Sequence, residues 1–315
     1  MIRPGLAYLA LLAIGAAWGL TTPLIKTATI AGHAALGIAL WQVCITITVL
    51  GVFLALRGEL RRLPLDGPAL RLYAVLGLLG IALPQWASFT GTTHLPAGVM
   101  SIVISLVPVF TLPLVLALGM ERFSARRLLG VGLGALAIVL LTAPQGSLPA
   151  PGLWVWVLVG ALAPLLYAIE GAYVAGSMAR QATVAQLLWA GSVVALALLL
   201  PLNLALGALR LPGLQPGSGD AAIIAASLLS MLAYAGYIML LRRAGAVFGA
   251  QVAYTVTGCG VLWAMLLLGE RYSLWVWAAL ATLFLALFLV QPRAAPAPIA
   301  PQAPPATKEG DDARL

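Results

Sequence analysis

Charge is scarce in this chain. Asp, Glu, Lys and Arg make up only 8% of its 315 residues, where a soluble domain carries about one quarter. So few charges cannot coat a surface in water, and this excludes a soluble globule. Cysteine is nearly absent as well. Cys44 and Cys259 both lie in apolar runs, so no disulfide framework is implied. His33 and His94 are the only histidines, and both read as solvated loop residues. No HExxH or CxxC spacing offers a metal site, and no cofactor is implied. The chain also lacks GxSxG and paired Asp on neighbouring apolar runs, the groups an intramembrane enzyme would need. Lysine is rare too: of 17 Lys+Arg, only Lys26 and Lys308 are lysines.

What fills the chain is apolar. Hydrophobic residues make up 62% of it, in runs of about twenty, each long enough to cross a bilayer core of roughly 30 Å. Ten spans are predicted, over 6–28, 34–56, 69–91, 95–118, 126–143, 153–177, 183–207, 220–241, 246–268 and 273–291. The fold class is an all-α membrane protein. The first run is too long for a signal-peptide core and reads as a retained helix.

The net charge of +8 reports topology and not a nucleic-acid partner. With the N-terminus in the cytoplasm, fourteen basic residues fall on inner segments, and only Arg210 and Arg271 fall on outer loops. That bias follows the positive-inside rule and places both termini in the cytoplasm. Residues 292–315 are rich in Pro and Ala, then charged, and read as a disordered cytoplasmic tail. A membrane scaffold would carry folded segments outside the bilayer, and here there is only this tail.

The two halves repeat. Glu121-Arg122-Phe123-Ser124 matches Glu270-Arg271-Tyr272-Ser273 at an offset of 149, which also sets Trp18 on Tyr167. Residues 6–143 and 153–291 then hold five spans each, and an odd number inverts the second copy in the membrane. Inverted repeats recur in secondary transporters, with the site between them near the midplane.

Three stretches carry a resemblance: "WGLTTPLIK" in the first span, "SLVPVFTLPLVLALGMERFS" across the fourth and "LLLGERYS" across the ninth. With them the chain resembles the drug/metabolite transporter superfamily, in its ten-helix EamA branch, over residues 6–291. Met120 between Gly119 and Glu121, and Thr257 where the first copy has Pro108, depart from an exact repeat. The resemblance implies alternating-access export or exchange of a small metabolite, amine or drug across a bacterial inner membrane. Uptake by the same fold is the alternative, as is a non-transporting membrane protein.

On the first span Gly15, Gly19, Thr22 and Lys26 fall within about 60° of one another at 100° per residue. Such a stripe should face protein or water, and Pro23 should open the helix near the lysine. Lys26 either snorkels to the outer headgroups or lines the pathway. The resemblance favours the pathway, since a lysine often ends this motif. Glu170 is the only acidic residue well inside a predicted span, and it is a pathway candidate for that reason. Trp18, Trp41, Gln85, Ser105, Tyr167, Tyr234, Gln251 and Tyr254 complete the pathway set. Gly15, Gly19, Pro108, Gly130 and Gly134 read as helix packing. The expected partners are a small organic solute, the bilayer and a coupling proton, and the expected state is monomer or homodimer.

Overall fold

A computed structural model of the chain describes residues 4–290 apart from 122, 144–146, 177–181, 211–218, 245–247 and 249–250. The tail expected over 292–315 lies outside the described residues.

Ten helices follow one another, and no strand occurs among the described residues. α1 comes in two segments, Pro4–Gly19 and Thr21–Ile30. α2 is Ala35–Leu56, α3 Gly67–His94, α4 Ala97–Ala117 and α5 Ala125–Thr142. α6 is Trp154–Gly176, α7 Val184–Ala205 and α8 Gly219–Ala244. α9 is Val252–Leu268 and α10 Leu274–Val290, with 17 residues each. The first eight are long and apolar enough to cross a bilayer. At 1.5 Å per residue the last two reach about 26 Å, close to the hydrocarbon thickness. The outer surface of the bundle is apolar: Leu6, Leu9, Leu129, Leu232, Leu266 and Phe288 are all exposed. Lipid, not water, suits such a surface.

Three helices of the first half are broken, each about one turn before a proline. α1 breaks at Leu20, ahead of Pro23. α4 breaks at Ser105 and Leu106, ahead of Pro108. α3 widens into a π-turn over Leu76–Ala82, ahead of Pro84. Proline has no N–H to donate and its ring crowds the carbonyl four residues back, which is where each ladder gives way. Pro164 and Pro201 stand inside unbroken helices. The opening in α1 therefore falls a turn before Pro23 and not at the lysine, because the clash acts backwards along the chain. Its loosened carbonyls find partners. Thr21 Oγ1 donates to Trp18 O at 2.7 Å, and Trp263 Nε1 donates to Ala16 O at 3.0 Å.

α5 packs along α10, α2 along α7 and α4 against α9. α1 packs on α8 and α9, and α6 packs on α3 and α4. Small residues set how closely these helices meet. A Cβ on Gly19 would stand 2.7 Å from Gly260 N and Val256 O, so α1 and α9 touch backbone to backbone only through a glycine. Gly15 meets Thr255 on the same helix, Gly130 lies against Ala286 and Val290 of α10, and Gly134 lies against Val109 of α4.

Candidate functional site

The α3–α4 corner is held by two opposite charges. Lys26 extends from α1 and donates to Thr92 O at 2.9 Å, Thr93 O at 3.1 Å and Leu95 O at 2.9 Å. An ammonium has three donors, and all three are used. They meet the carbonyl end of α3, where the helix dipole is negative. The next helix presents the opposite pole. Ala97 N donates to Glu270 Oε1 at 2.7 Å and Gly98 N to Glu270 Oε2 at 3.2 Å, at the start of α4. Tyr272 Oη adds a third donor to Glu270 Oε2 at 2.5 Å. Lys26 and Glu270 also lie within electrostatic reach of each other.

Local sequence accounts for this geometry. Gly269 ends α9 in the left-handed conformation (φ 66°), which only glycine adopts freely, and the chain turns so that Glu270 follows at once. A Cβ at Gly98 would collide with the Tyr272 hydroxyl. Burial first, and then the Glu270 hydrogen bond and charge, push the Tyr272 phenol above its ordinary range, so it stays a donor. The matching carboxylate of the first half is used differently. Gly119 also has a positive φ, 68°, but Met120 intervenes, and Glu121 Oε2 accepts from Arg127 Nη1 at 2.5 Å. Arg127 Nε in turn donates to Val290 O at 3.1 Å, at the end of α10.

Deeper in the bundle lies an aromatic group with one carboxylate. Trp18 meets Tyr234 edge-on at 6.3 Å and Tyr237 at 6.0 Å between ring centroids. The charge of Glu170 reaches the hydroxyls of Tyr167 and Tyr234. Glu170 lies against the π-turn of α3, where a Cβ on Gly80 would stand 3.2 Å from its Cγ.

The other candidates are spread out. Ser105 Oγ is paired with Thr257 Oγ1 between α4 and α9. Tyr254 packs on Phe284 of α10, Gln251 caps the start of α9, and Thr22 is half-buried on α1. Gln85 Oε1 is buried without a hydrogen-bond partner among the described residues. Trp41 lies apart from the aromatic group, its Nε1 donating to Arg210 O at 2.8 Å. Trp189 Nε1 donates to Ile47 O at 3.1 Å between α7 and α2.

The histidines differ from expectation. His94 closes α3 and stacks on Trp156 at 3.6 Å. His33 is buried, with Nε2 3.1 Å from Asp220 Oδ1 at the start of α8. The loop is short enough that its polar side chain is covered by the neighbouring helix. Burial lowers the His33 pKa below 6.5, Asp220 opposes this and Arg210 adds to it. A depressed pKa means that the neutral imidazole is the native form. Its stabilisation is present above pH 6.5 and is lost as pH falls through the lower folded value. Thermal stability should therefore fall on acidification below pH 6.5, and His33→Gln should flatten that slope. An unchanged slope in a melting series between pH 8 and pH 5 would exclude His33 as its source.

Ten apolar helices with polar and aromatic groups turned inward define a multi-pass membrane protein. Residues 5–143 match the EamA-like transporter family. The chain is 26% identical to the uncharacterized inner membrane transporter YedA of Escherichia coli K12 over 242 residues, 76% of this chain and 75% of that protein. The same protein from Escherichia coli O157:H7 matches equally. A solved crystal structure, 19% identical, superposes with a TM-score of 0.60 over 90% of this chain and 96% of its own, which shows the fold.

The pathway set missed Glu270, Tyr272 and Gly98. The signal was present in "LLLGERYS", but there it marked the repeat. That Glu270 crosses to α4, 173 residues away in sequence, appears only in the folded chain.

Proposed function

We propose that this chain is a secondary transporter that carries a small organic solute by alternating access, built from inverted repeats 6–143 and 153–291. The observation that carries the reading is the clamped α3–α4 corner, which Lys26 and Glu270 close on one side of the aromatic group. The helix pairing supports the repeats. Exchanging the first five helices for the last five turns α1–α8 into α6–α3 and α1–α9 into α6–α4, and leaves α2–α7, α4–α9 and α5–α10 in place. One set of contacts breaks the exchange. α1 also packs on α3 and α4, whereas α6 makes no comparable packing on α8 and α9 among the described residues. This supports a state closed at the α3–α4 corner and loose at the opposite one.

The bias of basic residues supports reading the clamped side as the outer one, in a bacterial inner membrane with both ends cytoplasmic. Export is the direction we favour. Glu170 is the candidate carrier of a coupling proton, since a lone carboxylate in a span needs neutralising. The test is solute counterflow in proteoliposomes combined with topology labelling. In intact cells, on a background without Cys44 and Cys259, a cysteine at Pro149 should react with an impermeant thiol reagent. One at Ala125 should not, and its labelling would end the inverted arrangement. Absence of counterflow for every class of small solute would end the transport reading.

A further inference from the structure

The C-terminal end of α2 joins an apolar stripe to a group of arginines. Val49, Val52, Phe53 and Leu56 are all exposed. Their spacing of three and four residues sets them along one side of the helix, over about 10 Å. Leu56, at the tip of the stripe, is 85% exposed. Arg57 follows, and its guanidinium lies over the Phe53 ring, 4.9 Å from the centroid. A cation is thereby held on the same side as the stripe, where the helix leaves the bilayer.

Local sequence then brings a second arginine to the first. Gly58 takes the left-handed conformation (φ 66°). Its N–H donates to Ala55 O at 3.0 Å, and Glu59 N–H donates to Leu54 O at 2.9 Å. These two bonds end α2 in a glycine turn, and the chain folds back through a short helical turn over Leu60–Arg62. Between them lies a notch of about 540 Å³, lined by Ala55, Leu56, Arg57, Gly58, Leu60 and Arg61, a volume that suits a small ligand or a headgroup. Its charges are available. Arg61 and Arg62 are exposed and pair with no carboxylate among the described residues. Glu59 Oε1 stands 4.0 Å from Arg57, beyond hydrogen-bond reach, and its other oxygen accepts from Thr183 Oγ1 at 3.4 Å. The connection is also fixed in shape. Gln186 Nε2 of α7 donates to Glu59 O at 2.8 Å, and Tyr73 Oη of α3 donates to Pro64 O at 3.0 Å. Little ordering is left for a ligand to impose.

Guanidinium groups recognise phosphate oxygens. A free anion would use the arginines and leave the stripe beside them untouched. A phospholipid uses both, with its phosphate in the notch and its chain along the helix. A net negative headgroup answers the unpaired arginines, whereas a zwitterionic one brings its own cation. The α4–α5 connection differs, because Arg127 is already taken by Glu121 and Val290 O. We propose that the end of α2 binds one anionic phospholipid, its phosphate between Arg57 and Arg61 and an acyl chain along Val49, Val52, Phe53 and Leu56.

The full-length protein, stripped of lipid in a neutral detergent, is titrated with dioleoylphosphatidylglycerol or dioleoylphosphatidylcholine, and bound lipid is counted by native mass spectrometry. One phosphatidylglycerol should bind at least about tenfold more tightly than phosphatidylcholine. Glycerol phosphate, the headgroup without chains, should not displace it at millimolar concentration. Replacing Arg57 and Arg61 together by Gln should remove at least about tenfold of the preference, since each basic residue near an anionic surface contributes several-fold. Arg126→Gln, on the α4–α5 connection, should bind as the parent does. The contrast between the two lipids is read on the unaltered protein, so a folding defect in a variant cannot imitate it. Equal binding of the two lipids would overturn the proposal, as would an unchanged preference in the double variant. Displacement by glycerol phosphate would make the notch a site for small anions and not for lipid. An equal loss in Arg126→Gln would mean that the charge of the whole face attracts the lipid and that the notch holds nothing.

Discussion

Lys26→Met should insert into the membrane at the normal level and lose at least about tenfold in solute flux. The fold change follows from the clamp. Hydrogen bonds from a charged donor contribute about 1.5–3 kcal/mol each, and about 1.4 kcal/mol shifts a two-state equilibrium tenfold. Methionine keeps the length of the side chain and removes all three donors, leaving Thr92, Thr93 and Leu95 carbonyls without their partner. The closed outer state is then under-populated, and a cycle that passes through it slows. Lys26→Arg should recover little, because a planar guanidinium cannot point three donors at carbonyls arranged around one nitrogen. Counterflow in proteoliposomes, normalised to inserted protein, reads both variants. Arginine serving as well as lysine would mean that the side chain only reaches for the outer headgroups.

Glu270→Gln should open the outer side. The carboxylate gathers two backbone N–H groups and the Tyr272 hydroxyl, and a neutral amide keeps only part of that attraction. Gly98→Ala should act in the same direction by a different route, since the added methyl group displaces Tyr272 while the Glu270 charge remains. A single cysteine at Ser101, one turn inside α4 and buried, reports the opening on a background without Cys44 and Cys259. Its labelling from outside by an impermeant reagent should rise about tenfold in either variant, matching a loss of about 1.4 kcal/mol from the closed state. Glu121→Gln, which breaks only the pair with Arg127 on the other side, should leave that labelling unchanged. Equal labelling in the parent and in Glu270→Gln would show that the carboxylate merely caps α4 and holds nothing shut.

The two clamp charges were not equally legible. Lys26 stood out because a lysine inside an apolar run needs a reason, and its stripe with Gly15 and Gly19 pointed toward protein. The identity of its partners was out of reach, because backbone carbonyls carry no signature in the sequence and these come from residues 66 to 69 positions away. Glu270 was visible only as half of a repeated motif. At a span end a carboxylate reads as solvated, and only the turn at Gly269 swings it onto the amides of α4. His33 was misjudged for a related reason. A loop residue looks exposed until the neighbouring helix covers it, and burial of that kind depends on tertiary packing alone.

The sequence by itself determined the environment and the number of helices. Apolar runs of bilayer length leave a chain no other way to satisfy its backbone in lipid, and this holds run by run without knowledge of the packing. Proline marked where a helix could break, but Pro164 and Pro201 stand in unbroken helices, so which prolines break theirs was left to the packing. The tertiary structure decided which charges are spent and which stay open. Lys26 is consumed by the end of α3, and Glu170 is left against Gly80 of α3 with Tyr167 and Tyr234 in reach of its charge, although both look alike along the chain as a single charge in an apolar run. Pairing in a membrane interior is set by contacts between helices far apart in sequence, and those contacts exist only once α1, α3, α6 and α8 have come together.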